Sequence, residues 1–425
     1  MVSFRLRAGL GCAVLALAAC GDGSSGGTGQ GVAAAPAPTP TPTPTPTPAP
    51  RAVASVTTQA VATFAAPWSM VFLPDGRMLV TERPPTGSVL NPVEPGRLHL
   101  VTQGGAVSDP IAGLPANVGL LDVKLDPQYA TNNRIYVSFM ERDPAAPRVG
   151  RDAADTNVDP AGLAVMRGTL AIGAAGTAQV TDAQVIWRQT PKIATFPGSG
   201  EPGGRMAFSP DGTYLFVTAG DRQELDASIL QRLDNTLGKV IRIFPDGRIP
   251  ADNPYYYRAD ARGEIWTWGH RNPYGLAFDA AGQLWENEMG PRGGDELNLL
   301  QIGSNYGWPL VSYGDPYDLG STYPKPAPGD GFAPAALWWT PVIAPADMIF
   351  YSGSVFADWR GDALIPGLQS QGLVRVRISG TQATEMQRIP LGARIRSVAQ
   401  APDGALWVLE DQPSGRLLKL SPVFQ

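Results

Sequence analysis

The sequence predicts an all-β fold, a six-bladed β-propeller built from four-stranded antiparallel blades. Short runs of alternating apolar residues, separated by tight turns, recur along most of the chain, and convincing helical periodicity is absent. The repetitive part, residues 55–425, is also long for one ordinary hydrophobic core. A propeller resolves this because each blade buries its faces against its neighbours. A pair of β-sandwiches is the alternative.

The repeated phrase is an apolar run, a Pro-Asp-Gly or similar turn, a second alternating run, and a strand opened by Gly-Arg-Leu or its like. Residues 68–73 begin its first copy, the turn Pro74-Asp75-Gly76 follows, and residues 78–80 and 96–98 complete it. The later strands predicted on the same plan are residues 120–125, 135–139, 164–170, 205–208, 214–218, 239–243, 275–278, 283–286, 296–299, 347–351, 361–365, 374–378, 396–400, 405–409 and 416–420.

Residues 1–19 are predicted to be a lipoprotein signal peptide. Arg5 and Arg7 give a basic start, and an apolar run too short to span a bilayer ends in Leu-Ala-Ala-Cys, with the cysteine at Cys20. Cleavage before Cys20 would leave its thiol to carry diacylglycerol, which predicts lipid anchoring at the cell envelope, facing the periplasm. Gly21 as the second mature residue favours the outer membrane. An ordinary secretory signal or an uncleaved anchor is the alternative.

Residues 20–54 are predicted to be the lipid anchor and a linker. The segment is first rich in Gly, Ser and Ala, and over residues 36–50 proline alternates with threonine or alanine. Alternating proline fixes φ and removes amide donors, which favours polyproline II. Fifteen such residues reach roughly 45 Å, so the segment is interpreted as a spacer that lifts the domain off the membrane.

Charge and cysteine content exclude several function classes. The net charge is −5, or −7 without Arg5 and Arg7, and no run of basic residues interrupts it, which disfavours nucleic-acid binding and leaves lipid at Cys20 as the expected membrane contact. The domain itself has no cysteine for a disulfide, a zinc site or a nucleophile. With only His99 and His270 in the chain, a metal would have to be held by oxygen ligands, as calcium is.

Four segments carry chemistry: residues 117–123, the Gly-Gly-Arg of residues 203–205, the Gly-His-Arg-Asn-Pro that begins at Gly269, and the Gly-Pro…Asp-Glu-Leu-Asn…Asn-Tyr-Gly-Trp-Pro of residues 290–309. Together they resemble the glucose/sorbosone dehydrogenase family, and within it the soluble aldose sugar dehydrogenases that depend on pyrroloquinoline quinone (PQQ). The resemblance implies an enzyme that oxidises the anomeric carbon of aldoses to lactones with PQQ and calcium. It names neither the sugar nor the electron acceptor.

The resemblance also implies which residues bind the cofactors. PQQ carries three carboxylates, which the planar fork of arginine pairs in a bidentate manner. Its implied partners are Asn117, Arg271, Asn272, Arg394 and Arg396.

Two calcium sites are implied as well. The carbonyl groups of Gly290 and Pro291 are expected to hold a calcium that also holds PQQ, and Glu296 with the carbonyl of Tyr306 a second, supporting calcium. Both sets offer only oxygen ligands, which is what calcium prefers.

The position of the catalytic base departs from the family pattern. Where the family has its catalytic histidine, before Gly-Gly-Arg, this chain has Glu201. A carboxylate can still accept a proton, although its reference pKa is about 4.3 rather than about 6.5. Glu201 is therefore the predicted catalytic base, and His270 is interpreted as a structural residue. The alternatives are a propeller that binds PQQ or sugar without dehydrogenase activity, and a metal-dependent lactonase.

Overall fold

The computed structural model describes residues 51–84, 87–88, 91–92, 95–116, 118–149, 159–173, 176–194 and 200–425, together with Gly27 and Ala154. Pro50–Gln425 forms one compact unit. The predicted signal peptide, lipid site and linker up to residue 50 lie outside the described residues, apart from Gly27. Within the described part of the chain, no helix is long and apolar enough to cross a membrane.

Six antiparallel sheets form the six blades of a β-propeller, as predicted, and helix is confined to single turns. Five sheets have four strands, while blade 1 shows three in the described residues, with a small hairpin beside it. In chain order the strands are β1 (Val53–Phe64), which joins blade 6; β2 (Pro67–Phe72), β3 (Met78–Glu82), the hairpin β4 (Gly87–Ser88) and β5 (Asn91–Pro92), and β6 (Arg97–Val101) of blade 1; β7 (Gly119–Leu125), β8 (Arg134–Arg142), β9 (Ala161–Ile172) and β10 (Ala178–Arg188) of blade 2; β11 (Gly203–Phe208), β12 (Leu215–Ala219), β13 (Lys239–Ile243) and β14 (Ile265–Trp268) of blade 3; β15 (Pro273–Phe278), β16 (Leu284–Glu288), β17 (Asp295–Leu299) and β18 (Leu337–Trp339) of blade 4; β19 (Ile349–Phe350), β20 (Ala363–Gly367), β21 (Gly372–Ser379) and β22 (Gln382–Pro390) of blade 5; and β23 (Ile395–Gln400), β24 (Leu406–Glu410) and β25 (Gly415–Phe424) of blade 6.

The one-turn helices are α1 (Tyr129–Asn132) and α2 (Ala227–Leu230), and a 3-10 turn spans Ala357–Trp359. Asp226 caps α2 because its carboxylate accepts a hydrogen bond from the Ser228 amide.

Blade 6 closes the ring with strands from both ends of the domain. Strand β1 pairs antiparallel with β25 from Val53 opposite Phe424 to Phe64 opposite Gly415. The inner strands contact one another in sequence around the axis: β2 with β7, β7 with β11, β11 with β15 and β15 with β19, while β23 contacts both β20 and β2. No inner strand therefore presents an open side.

The core is divided among the six seams between blades. Each seam holds a cluster of buried apolar side chains from the two adjoining blades, so every blade covers both of its faces. Representative pairs from these clusters are Leu79 and Val123, Met140 and Met206, Phe216 and Leu276, Trp285 and Ile365, Leu364 and Val408, and Leu409 and Val80.

Arg205, from the Gly-Gly-Arg motif, lies on the axis and joins all six blades. Its side chain is buried, and its guanidinium packs over the ring of Trp68 at 4.1 Å. From blade 3 it donates hydrogen bonds to one group from each other blade: Ser69 Oγ, Asp122 Oδ1, and the carbonyl groups of Tyr274, Ala346 and Arg396. A buried arginine needs an acceptor for each of its five N–H donors, because burying an unpaired guanidinium is energetically unfavourable.

Candidate functional site

The predicted site residues lie where inner strands begin, which places them around one mouth of the propeller. Glu201 precedes β11, Arg271 and Asn272 precede β15, and Arg394 precedes β23. The Arg396 guanidinium lies 5.5 Å from the ring of Tyr274, the second residue of β15. Burial raises the pKa of Tyr274, and the charge of nearby Glu201 adds to this rise. The structure thus brings together residues that are far apart in sequence. Asn117 lies outside the described residues.

The turn that leads into β11 requires the two glycines with which the strand begins. Gly203 and Gly204 have φ of +65° and +100°, which side chains with a Cβ rarely adopt. A Cβ on Gly204 would also lie 2.8 Å from Leu121 Cδ1. Glu201 itself has a φ of +29° and is not a glycine. This turn directs the Glu201 side chain towards blade 4.

Glu201 forms an ion pair with Arg271. Glu201 Oε1 contacts Arg271 Nη2, and both side chains are at least nine-tenths buried. Arg271 Nη1 donates to the carbonyl oxygens of Met289 and Gly290, each at 2.9 Å. Glu201 Oε2 and Arg271 Nε, by contrast, are buried without a hydrogen-bond partner. The predicted base and the predicted cofactor arginine are therefore in direct contact, and each keeps an unused polar atom.

A second carboxyl group, Asp221, lies beside Glu201 and was not identified from the sequence. It is fully buried after β12, and Trp308 Nε1 donates to its Oδ2 at 2.8 Å. Burial and the neighbouring Glu201 carboxylate raise the pKa of Asp221 well above its usual value. Asp221 therefore favours its protonated form more than an exposed aspartate does. In the sequence it reads as an ordinary Gly-Asp turn, so only the fold reveals it.

The four predicted calcium ligands line one cavity together with Arg271. The cavity among Gly290, Pro291, Glu296 and Tyr306 is small, about 10 Å³, which is room for roughly one ion or water molecule next to the arginine. Carbonyl and carboxylate oxygens are the donors that calcium prefers, so the residues present fit this ion. The Gly290 carbonyl, however, already accepts a hydrogen bond from Arg271. A cation at this carbonyl would therefore share it with the guanidinium.

Three carboxylates converge on one amide behind this cavity. Asn298 Nδ2 donates to Glu286 Oε2, Glu288 Oε1 and Glu296 Oε2 at 3.2, 3.3 and 3.2 Å. Burial and then the charge of Glu288 raise the pKa of both Glu286 and Glu296. A cation next to these carboxyl groups would offset the repulsion that raises their pKa values.

His270 has the contacts of a structural residue. It is fully buried, its Nδ1 lies 3.1 Å from Glu288 Oε1, and its Nε2 lies 2.9 Å from Thr267 Oγ1. Its ring stacks on Tyr306 at 4.7 Å between centroids. Because both ring nitrogens are engaged, His270 orients Glu288 and Tyr306 and has no nitrogen left for a substrate.

Arginines from blades 1 and 6 share a single carboxylate at the same mouth. Asp411 accepts hydrogen bonds from Arg83 at 3.0 Å, from Arg394 at 2.7 Å and from Arg396 at 3.0 Å. The guanidinium groups of Arg396 and then Arg83, against the effect of burial, lower the pKa of Asp411 below its usual range. The structure thus places both predicted arginines together and adds Arg83, which no motif indicated.

Comparison with known proteins identifies the family. Residues 64–419 match the family model described as glucose/sorbosone dehydrogenase. The aldose sugar dehydrogenase of Escherichia coli strain K12 is 38% identical over 368 residues, covering 84% of this chain and 90% of the relative.

Two further comparisons agree with that match. A crystal structure of the soluble aldose sugar dehydrogenase from Escherichia coli in the apo form superposes with a TM-score of 0.73 at 35% identity, over 87% of this chain and all of that one. Quinoprotein glucose dehydrogenase B of Acinetobacter calcoaceticus is 26% identical over 81% of this chain and 83% of its own length. The chain therefore belongs to the glucose/sorbosone dehydrogenase family of oxidoreductases.

Proposed function

We propose that this protein oxidises the anomeric carbon of aldose sugars to lactones, with PQQ and calcium as cofactors. The observation that carries the proposal is that Glu201, Arg271 and the oxygen-lined cavity of Gly290, Pro291, Glu296 and Tyr306 meet at one mouth. A proton acceptor, a carboxylate-binding cation and a calcium-compatible donor set thus lie side by side. The names of the relatives, aldose sugar dehydrogenase and quinoprotein glucose dehydrogenase, support the same reaction.

The residues at the mouth suit the charges of both cofactors. Arg271 keeps a free Nε, and the arginines around Asp411 outnumber their carboxylate. When bound, PQQ supplies a quinone that accepts hydride and calcium supplies a Lewis acid. The chain's contribution is to hold the carboxylates of PQQ through Arg271, Asn272, Arg394 and Arg396, and the calcium through the cavity oxygens.

Glu201 is the proposed base that accepts the proton of the anomeric hydroxyl. Arg271 holds its Oε1, and Asp221 interacts with the same carboxylate, so the proposed proton acceptor is fixed between two side chains. Burial and the Glu201 charge raise the pKa of Asp221, which limits the build-up of a second negative charge beside the proposed base.

A second candidate function is binding of PQQ or sugar without oxidation. The Glu201–Arg271 contact favours it, because the residue in the position of the family's base is tied to the arginine expected to bind the cofactor. In this case the mouth would recognise its ligand, but no side chain would be available to accept the proton.

The site is proposed to work at the cell envelope. The Leu-Ala-Ala-Cys sequence ending at Cys20 supports lipid attachment there, and the proline-rich segment that follows supports a spacer facing the periplasm. Electrons would leave to an acceptor that remains to be identified.

Absorbance spectroscopy of the purified protein tests the proposal. Apo-protein is mixed with PQQ and calcium, freed of excess PQQ, and then given an aldose. Reduction of bound PQQ by the sugar is the expected result. PQQ that binds and stays oxidised with a panel of aldoses supports the binding protein instead, and a protein that retains no PQQ contradicts both functions.

A further inference from the structure

The arginine cluster around Asp411, defined here as Arg83, Arg394 and Arg396, carries an uncompensated positive charge. Three guanidinium groups contact this one carboxylate, which is the only acidic side chain paired with them among the described residues. Counting formal charges, three positive groups and one negative group leave a surplus of two. A partly buried surplus of this size is unfavourable unless an anion completes it.

Arg83 is the member of the cluster that has an unused hydrogen-bond donor. It follows β3, its Nη2 donates to Asp411 at 3.0 Å, and its Nε is buried without a hydrogen-bond partner. Burial, and then the neighbouring Arg396, lower the pKa of Arg83 below its usual value. The opposing effect of Asp411 is smaller, so this guanidinium lacks a full counter-charge.

The position of the cluster points towards the proposed cofactor site. Arg396 packs over the ring of Tyr274 at 5.5 Å. Arg83 and Glu201 are both close enough to Tyr274 for their charges to affect its pKa. Arg271, in contrast, is already paired with Glu201. The positive charge at this mouth that is not neutralised by a paired carboxylate therefore lies mainly at the junction of blades 6 and 1, not on blade 4.

We propose that Arg83 is a third arginine of an anion site formed with Arg394 and Arg396, and that it binds a carboxylate of PQQ. This inference rests on the proposed function. The chemistry is a charge-assisted hydrogen bond from the Arg83 guanidinium to the ligand, with Asp411 holding the three arginines in place.

Titration of PQQ into the full domain with calcium present, followed by absorbance, tests the role of Arg83. Arg83→Met should raise the apparent Kd for PQQ by about ten- to a hundredfold, because it removes a hydrogen bond to a charged group. Arg83→Lys keeps the charge without the fork and should fall between Arg83→Met and wild type. The matched control is Arg77→Met, since Arg77 and Arg83 flank the same strand and Arg77 is paired with Asp75 at the opposite end of it.

The melting temperature without PQQ separates anion binding from a purely structural role. Removing a surplus positive charge should leave the melting temperature of Arg83→Met no lower than that of Arg77→Met. If Arg83→Met and Arg83→Lys bind PQQ as tightly as Arg77→Met, the assignment of Arg83 is wrong while the proposed function stands. If wild type binds no PQQ, both the assignment and the proposed function fall.

Discussion

The carboxylate of Glu201 is paired with the guanidinium of Arg271, so the proposed base contacts the arginine expected to hold the cofactor. Arg271 is fixed on its other side by the carbonyl groups of Met289 and Gly290. The Arg271 side chain thus links the proposed base to the loop proposed to bind calcium. Replacing Glu201 with its amide is expected to preserve or raise cofactor affinity while it slows proton transfer.

Glu201→Gln should bind PQQ at least as tightly as wild type, because it removes a negative charge near the carboxylates of PQQ. It should also slow sugar-driven reduction by about a hundredfold or more, because an amide cannot accept the proton. Stopped-flow reduction of bound PQQ is the appropriate measurement, since it isolates hydride transfer from the electron acceptor. Equal rates for Glu201→Gln and wild type would exclude Glu201 as the base.

Glu201→His should create or increase activity. An imidazole restores the family's base with a pKa nearer neutrality, and it also frees Arg271 from its ion pair. The same stopped-flow assay applies, with Glu201→Gln as the inactive reference. If Glu201→His binds PQQ and is as inert as Glu201→Gln, the mouth is a binding site and not a catalytic one.

Calcium should stabilise the domain through the cavity beside Arg271. A ligand that binds only the native state raises stability by mass action, so chelation should lower the melting temperature and abolish PQQ binding. Glu296→Gln should reproduce part of this loss because it removes one ligand charge. Differential scanning calorimetry with calcium and with chelator gives the comparison. An unchanged melting temperature, together with no metal in elemental analysis, would contradict the site.

Arg205→Met should destabilise the propeller strongly. It leaves Asp122 buried without the guanidinium that lies 3.3 Å from it. It also removes the hydrogen bonds by which Arg205 joins the blades at the axis. Breaking a buried ion pair in this way costs about 3–5 kcal/mol of unfolding free energy. Unfolding in guanidinium chloride measures this loss of unfolding free energy. Arg248→Met is the control, because the Arg248–Asp246 ion pair is exposed and contributes at most about 1 kcal/mol. A loss no larger than the control would show that Arg205 is dispensable.

Lys239 should make stability depend on pH. Its ammonium is fully buried, donates to the carbonyl groups of Leu230 and Leu237, and burial lowers its pKa to about 7. Above pH 7 the unfolded chain then binds a proton that the folded chain has released, so this residue adds stability as pH rises, by up to about 1.4 kcal/mol per pH unit.

The measurement for Lys239 compares unfolding free energies at pH 7 and pH 9. The unfolding free energy of wild type should rise relative to that of Lys239→Met at the higher pH. Lys419→Met, which alters a partly exposed ammonium near Asp403, is the control and should show no such change. An equal difference between wild type and Lys239→Met at both pH values would contradict the prediction.

Cys20→Ala should release the protein from the membrane fraction of its host. The thiol of Cys20 is the proposed attachment point for lipid, so its removal should abolish incorporation of labelled fatty acid. Fractionation followed by immunoblotting gives the result. Membrane retention equal to wild type would argue against lipid attachment at this residue.

Much of the fold follows from the sequence because its signals are local. Predicted runs such as 239–243 and 396–400 lie in β13 and β23, since alternating apolar residues bounded by turns determine strands directly. The pairing of β1 with β25 could not be read in this way. It joins residues at opposite ends of the domain, and neither strand carries a mark of its partner.

The site was predictable only where a motif named its residues. The segments around Arg271 and Gly290 indicated one region, and the structure places both at the same cavity. Asp221 and Arg83 follow strands in unremarkable turns, and their importance comes from contacts with Trp308 and Asp411, which lie far along the chain. Such residues become visible only when the blades are assembled.

The closure of blade 6 makes the two ends of the domain neighbours, since Val53 faces Phe424. The propeller can therefore be circularly permuted: a short peptide could join these ends, and new termini could be opened at the tip of an exposed turn such as the one at Asp211 and Gly212. In such a permutant β1 and β25 would become a local hairpin, and blade 6 would no longer depend on a contact between distant parts of the sequence. Blade 3 would take over this role, because the new termini separate the paired strands β11 and β12, so the closure of the ring would move from blade 6 to blade 3.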